Sequence, residues 1–103
     1  MKALILEDDE LVGELLETVV AGIHQGANVS LARSLSEAQQ LLDSDGRYQL
    51  YLIDWQLPDG SGLDLVKRVR AGDRDVPIVM VSGRSDRESV LRAAHHGISG
   101  YIS

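Results

Sequence analysis

Short runs of strand length alternate with segments in helical spacing along this chain, and the alternation limits the folds that it can adopt. The strand-like runs are residues 3–6, 28–33, 50–53, 77–82 and 100–103. Most are continuously apolar, as expected for strands covered on both faces, whereas residues 28–33 alternate weakly and are typical of an edge strand. Parallel neighbours need helical crossovers, which are right-handed. The pattern predicts an α/β fold, a doubly wound parallel sheet in the strand order 2-1-3-4-5 with helices on both faces.

The segments between these runs carry helix signals. In the first segment, apolar residues recur at three- and four-residue steps and predict one buried stripe on a helix that stops near Gly26. They are Leu11, Val12, Leu15, Leu16, Val19, Val20 and Ile23. Ser34 with Glu37, and Ser85 with Glu88, have the spacing of a capping box and predict the starts of two further helices.

Composition excludes several classes of function. At 103 residues the chain has room for one domain, predicted to span residues 1–103. The net charge of −6 argues against a nucleic-acid surface, which needs a basic face. The absence of cysteine excludes disulfides, thiolate catalysis and sulfur-ligated zinc. No segment resembles a signal sequence or a membrane span, so we expect a cytoplasmic protein with no membrane contact.

Polar residues stand where the predicted strands end. Glu7 and Asp8 follow the first strand, Asp54 ends the third and Ser82 ends the fourth. In the predicted order the first and third strands are neighbours at the point where the order reverses, and ligands bind beyond the carboxyl ends of the strands there. Carboxylates this close repel each other unless a cation neutralises them. A donor set of oxygens without His or Cys suits a hard ion, and Mg²⁺ is the favoured one.

Four segments resemble the receiver domain of bacterial two-component response regulators, a chemotaxis-type, flavodoxin-like domain. They are "ALILEDDELV", "LYLIDWQLPDGSGLDLVKRVR", "VPIVMVSG" and "GYIS". The resemblance covers the whole chain, and the D-x-x-L-P-x-G-x-G-L pattern of the second segment is highly specific. It implies a signalling switch rather than an enzyme, in which Asp54 accepts a phosphoryl group from a sensor histidine kinase or phosphotransfer protein and regulates an effector domain or partner.

The resemblance also implies roles for other residues. The main-chain carbonyl of Gln56 would complete the protein ligands of Mg²⁺ beside the acids. The Ser82 hydroxyl would bind a phosphoryl oxygen, and Tyr101 would be the aromatic that turns inward when Ser82 moves. Gln56 and Arg84 would flank the approach of water to the acyl phosphate and so tune its lifetime.

Two pairs of acids compete for the metal. Glu7 with Asp8 is the favoured pair, because it aligns the first helix with the family without a gap and leaves Asp9 as a helix-start acid. That alignment places three residues on the buried stripe: Val12, Leu15 and Leu16. Asp8 with Asp9 is the second possibility.

Each site residue also has a purely structural interpretation. Acids at residues 7–10 are usually a solvated helix cap, and Asp54 could be an Asx-turn acid before the Pro turn. Ser82 could be a strand-end hydroxyl and Tyr101 an edge-strand aromatic. The convergence of distant acids on one edge of the sheet favours the functional interpretation.

The chain departs from the family pattern after Ser103, where the phosphate-binding Lys and the fifth helix would follow. The resemblance therefore implies a domain that is incomplete at its C-terminus, with the fifth strand cut short and one face of the sheet partly bare. A phosphorylation-independent interaction module stays possible for this reason. An aspartyl-phosphate hydrolase is less favoured, because its nucleophile normally follows the first strand in a D-x-D pattern.

Overall fold

The structure is a computed structural model that describes residues 1–83 and 87–102. Its strands are β1 (Lys2–Leu6), β2 (Asn28–Ala32), β3 (Leu50–Ile53), β4 (Gln56–Leu57), β5 (Gly60–Ser61), β6 (Ile78–Val81) and β7 (Gly100–Ile102). Its helices are α1 (Glu10–Ile23), α2 (Leu35–Asp45), α3 (Gly62–Gly72) and α4 (Arg87–His95).

Five parallel strands form the main sheet in the order β2-β1-β3-β6-β7. The two-residue strands β4 and β5 pair with each other in a separate antiparallel hairpin, so β6 and β7 are the fourth and fifth strands expected from the sequence. The predicted order 2-1-3-4-5 is confirmed. It places the reversal of strand order between β1 and β3.

Helices cover both faces of the sheet, as predicted. Because successive side chains of a strand point to opposite faces, Leu4 and Leu6 of β1 join the cluster beneath α2, α3 and α4. Ala3 and Ile5 instead join the cluster beneath α1, which includes Val20. None of the helices in the described part of the chain reaches the length and apolar character that crossing a membrane requires.

The helix starts follow their capping signals. The Ser34 side chain accepts from the Glu37 amide at 3.1 Å, and the Glu37 carboxylate accepts from the Arg33 amide at 2.7 Å. The first bond satisfies an amide that the first turn of α2 leaves without a helical partner, and the second ties the residue before the N-cap to that turn. The second predicted capping box includes Ser85, which lies outside the described residues.

The prediction of one buried stripe on α1 is wrong for four of its seven residues. Their exposed fractions are 77% for Leu11, 63% for Leu15, 47% for Val19 and 71% for Ile23. At 3.6 residues per turn, the seven residues cover about half of the helix circumference, more than the sheet can bury. The helix instead lies on the sheet through Gly13 and Val20, with Gly13 close against Leu31 of β2.

Candidate functional site

Backbone pairing brings the ends of β1 and β3 to the same edge of the sheet. Leu6 pairs with Ile53 in the parallel register. One residue further on, the Asp54 amide donates to the Leu6 carbonyl at 2.9 Å, and the Glu7 amide donates to the Ala32 carbonyl at 2.9 Å. Glu7 and Asp54 are therefore fixed through their main chains on neighbouring strands.

Three carboxylates gather at this edge. Glu7, Asp8 and Asp54 each offer one oxygen, and these oxygens lie within 4.8 Å of one another. Glu7 is buried, with 6% of its surface exposed, whereas Asp54 is half-buried and Asp8 is exposed. The cluster thus has a buried side and a side that opens to solvent.

Asp9 has a different place. Its side chain is the N-cap of α1 and accepts from the Val12 amide at 3.1 Å, while its own amide donates to Glu7 Oε2 at 3.0 Å. This geometry favours the Glu7–Asp8 pair over the Asp8–Asp9 pair as metal ligands. The geometry supports this pair independently of the sequence alignment, which wrongly predicted that Leu15 is buried.

Two of the clustered acids, Glu7 and Asp54, hold protons more tightly than isolated carboxylates do. The pKa of Glu7 is raised from 4.5 to about 7. Burial is the largest cause, the Asp9 amide opposes the rise, and the Asp54 charge and hydrogen bonds with Asp54 and Asp8 add to it. Burial also raises the pKa of Asp54, with a contribution from the Asp8 charge, while hydrogen bonds from the Trp55 amide and Glu7 oppose the rise. The cause is negative charge brought together with little solvent.

The donor set fits a divalent hard cation. It consists of carboxylate oxygens from two strand ends. The ion pairs found among the described residues, Arg33 with Glu10 and Arg68 with Asp43, include none of these three acids. A dication would offset the cost of burying these charges and their mutual repulsion, which together raise the pKa values of Glu7 and Asp54. An octahedral ion such as Mg²⁺, which keeps several waters, suits three protein oxygens in a cluster with one side open to solvent.

An open depression of about 630 Å³ extends from the acids. It is lined by Asp8, Asp54, Gln56, Leu57, Pro58, Ser82 and Gly83. The structure thus brings Ser82 and Gln56, both predicted site residues, beside Asp54. Arg84, the other predicted lifetime residue, lies outside the described residues.

Tyr101 is not among the residues that line the depression. Its half-buried ring packs edge-on against Trp55, with ring centroids 6.4 Å apart. The Trp55 amide in turn donates to Asp54 Oδ1 at 2.7 Å. Tyr101, the predicted switch aromatic, therefore contacts the residue whose amide binds the Asp54 carboxylate.

Sequence reasoning missed Trp55 and Asp59. Trp55 is buried and joins Asp54 to Tyr101, and the Arg92 guanidinium of α4 lies 5.9 Å from its ring centroid. Asp59 accepts from the amides of Leu35 and Ser36 in α2. The Pro-Asp-Gly sequence signals a turn, but no local pattern indicates which helix such a turn contacts.

Comparisons with known proteins agree with this geometry. A family model described as "Response regulator receiver domain" matches residues 3–103. Chemotaxis protein CheY1 of Helicobacter pylori is 30% identical over 104 residues, which cover 99% of this chain and 83% of that protein. Response regulator protein PilR of Pseudomonas aeruginosa is 31% identical over 102 residues, which cover 99% of this chain and 22% of PilR.

Solved structures give the same result. The non-phosphorylated HemR receiver domain from Leptospira biflexa superposes with a TM-score of 0.85 at 29% identity, covering 98% of this chain and 79% of that one. A response regulator receiver domain from Rhodospirillum rubrum gives 0.87 at 24% identity, covering 100% and 80%, a likeness of fold alone. The family match extends over nearly the whole chain, and it includes the acids that cluster where the strand order reverses. The chain therefore belongs to the response regulator receiver domains, the phosphoacceptor signalling domains of two-component systems.

Proposed function

We propose that residues 1–103 are a receiver domain in which Asp54 accepts the phosphoryl group, with Mg²⁺ bound by Glu7, Asp8, Asp54 and the main-chain carbonyl of Gln56. The observation that carries the proposal is the position of Asp54. Its carboxylate lies within 4.8 Å of the other two acids and also lines the open depression. A phosphodonor can therefore approach the same group that the acids surround.

The chemical step is an in-line displacement. A carboxylate oxygen of Asp54 attacks the phosphorus of a phosphohistidine, the P–N bond breaks, and the imidazole leaves with the electron pair. The Trp55 amide, 2.7 Å from Oδ1, holds the carboxylate in one orientation. Bound Mg²⁺ supplies positive charge that offsets the charge on the transferring oxygens.

The donor would be a sensor histidine kinase or a phosphotransfer protein, and the output an effector domain or separate partner. In our proposal the Ser82 hydroxyl binds a phosphoryl oxygen, and Tyr101 responds to its movement. The contact between Tyr101 and Trp55 supports this assignment, because movement of one ring changes the packing of the other. The net charge of −6 supports a role without direct nucleic-acid contact by this domain.

Intact mass after incubation with Mg²⁺ and acetyl phosphate tests the assignment of Asp54. We expect the parent protein to gain one phosphoryl group and Asp54→Asn to gain none. Asp64→Asn, which removes an exposed acid of α3, should behave as the parent does. Steady turnover of the phosphodonor would indicate a hydrolase, and no gain by the parent would favour a phosphorylation-independent interaction module.

The lifetime of the phosphoryl group tests the role of Gln56 and Arg84. We expect Gln56→Ala and Arg84→Ala to change the rate at which phosphorylated protein loses its phosphoryl group, because both side chains would flank the attacking water. The rate is measured by intact mass after the phosphodonor is removed. Equal rates for both variants and the parent would contradict this role.

A further inference from the structure

Asp59 joins two elements that are distant in the sequence. Its Oδ1 accepts from the Leu35 amide at 2.8 Å and its Oδ2 from the Ser36 amide at 2.9 Å. Asp59 stands in the turn between β4 and β5, 24 and 23 residues away from these partners. The turn that follows the phosphoacceptor is therefore fastened to the first turn of α2.

Two side chains divide the cap of α2 between them. Asp59 accepts hydrogen bonds from the amides of Leu35 and Ser36, and Ser34 accepts one from the amide of Glu37. Both residues satisfy donors that a helix leaves without partners at its start. Hydrogen bonds from Ser36 and Leu35 keep the pKa of Asp59 below its usual value, as expected for a carboxylate that is charged when it caps the helix. Only Asp59 belongs to the hairpin beside the site.

The hairpin carries Gln56. In the pairing of β4 with β5, Gln56 lies opposite Ser61 and Leu57 opposite Gly60. Gly60 packs so closely on α2 that an added Cβ would lie 3.1 Å from Leu35 Cδ2. At its other end the hairpin is tied to α3, because the Gly62 amide donates to the Trp55 carbonyl at 2.7 Å.

We propose that Asp59 is a positioning residue, which holds the hairpin on α2 so that the main-chain carbonyl of Gln56 stays aimed at the metal site. This inference rests on the proposed function, since it assumes that Gln56 is a ligand. It adds that metal affinity depends on a contact with α2, which itself contributes no ligand. Loss of the contact releases one side of the hairpin and leaves the three carboxylates in place.

Metal affinity measured through Trp55 tests the proposal. Trp55 is the sole tryptophan, and its main-chain amide donates a hydrogen bond to Asp54 Oδ1. The Trp55 fluorescence should therefore report Mg²⁺ titrations. We expect Asp59→Ala to raise the Mg²⁺ dissociation constant about tenfold, the scale of outer-shell effects on metal sites. Asp59→Asn keeps one acceptor oxygen and should give a smaller rise.

Two variants separate positioning from other effects. Ser34→Ala removes the other side-chain cap of α2 and should lower the urea midpoint as Asp59→Ala does, while leaving the dissociation constant unchanged. Asp64→Asn removes one exposed negative charge near Gly60 without touching the contact, and should also leave it unchanged.

The outcomes distinguish the two proposals. If the parent binds Mg²⁺ and Asp59→Ala and Asp59→Asn bind it equally well, the positioning role is overturned and the proposed function stands. The positioning role is also overturned if the Mg²⁺ dissociation constant rises as much in Ser34→Ala or Asp64→Asn as in Asp59→Ala. The first result would indicate a general loss of stability in α2, and the second an effect of the lost charge. The proposed metal site is contradicted if Mg²⁺ does not change the fluorescence of the parent, or if Asp54→Asn gives the same change as the parent. The inference about Asp59 then fails with it.

Discussion

At the scale of single residues, Gly62 determines how closely α3 approaches Asp54. A Cβ at this position would overlap the Asp54 carbonyl oxygen and lie 2.8 Å from Ile53 Cγ2. Backbone atoms cannot move aside as the end of a side chain can. The site therefore depends on the absence of a side chain at Gly62 as much as on the acids themselves.

Substitution of Gly62 should be costly. We expect Gly62→Ala to lower the free energy of unfolding by about 2 kcal/mol or more, because the clash is with backbone and with a buried Ile. Gly22→Ala is the matched control. Gly22 lies in α1 with nothing within 4 Å of an added Cβ. Gly22→Ala should therefore raise the free energy of unfolding by about 0.5–1 kcal/mol, because Ala has the better helix propensity. Urea unfolding measures both, and equal effects would contradict the close approach.

At the scale of elements, α1 and α3 show how differently two amphipathic helices use their apolar residues. In α3, Leu63, Leu65, Val66 and Val69 are all buried. In α1, Val20 is buried but Leu15 and Ile23 are mostly exposed. The patterns look similar in sequence, so burial is decided by what lies opposite each helix face.

This difference should appear in stability. Leu65→Ala is expected to lower the free energy of unfolding by about 2–5 kcal/mol, since it opens a cavity in the core. Leu15→Gln should change it by no more than about 0.5 kcal/mol, because the side chain is already largely in water. A large loss in Leu15→Gln would mean that α1 is seated as the sequence predicted. Urea unfolding of the two variants provides the comparison.

At the scale of the whole molecule, the fold gathers acids that repel each other, and this makes stability depend on pH. Glu7 titrates near pH 4.5 when unfolded and near pH 7 when folded, and the pKa of Asp54 is also raised. The folded state therefore binds more protons than the unfolded state between these values. Its stability is highest below the unfolded pKa and falls as the pH rises through the folded one.

Metal-free protein should therefore become less stable from about pH 5 to pH 8. We expect Glu7→Gln to flatten this dependence and to be more stable than the parent at pH 8, by about 1 kcal/mol or more, because a neutral side chain replaces a buried charge. Mg²⁺ should stabilise the parent at pH 8 by binding the folded state. Thermal unfolding across this pH range provides the measurement. A parent whose stability rises from pH 5 to pH 8 would contradict the raised pKa of Glu7.

The sequence was a good guide where the signal is local or follows from a general rule of topology. Alternation of apolar runs with helical spacing predicted the strand order, and that order placed Glu7, Asp8, Asp54 and Ser82 at one edge. The hairpin of β4 and β5 and the seating of α1 were not predicted, because short hairpins carry no period and a stripe does not say how much of it is covered.

The amino-acid sequence by itself determined which residues alternate as strands and helices, and so which chain positions reach the carboxyl edge of the sheet. Only the tertiary structure decided that Glu7 turns inward beside Asp54, and that Asp59 fastens the β4–β5 hairpin to α2. The physical reason is that periodicity and capping act between near neighbours in the chain. The orientation of a carboxylate depends instead on charges and amides that folding brings from distant segments.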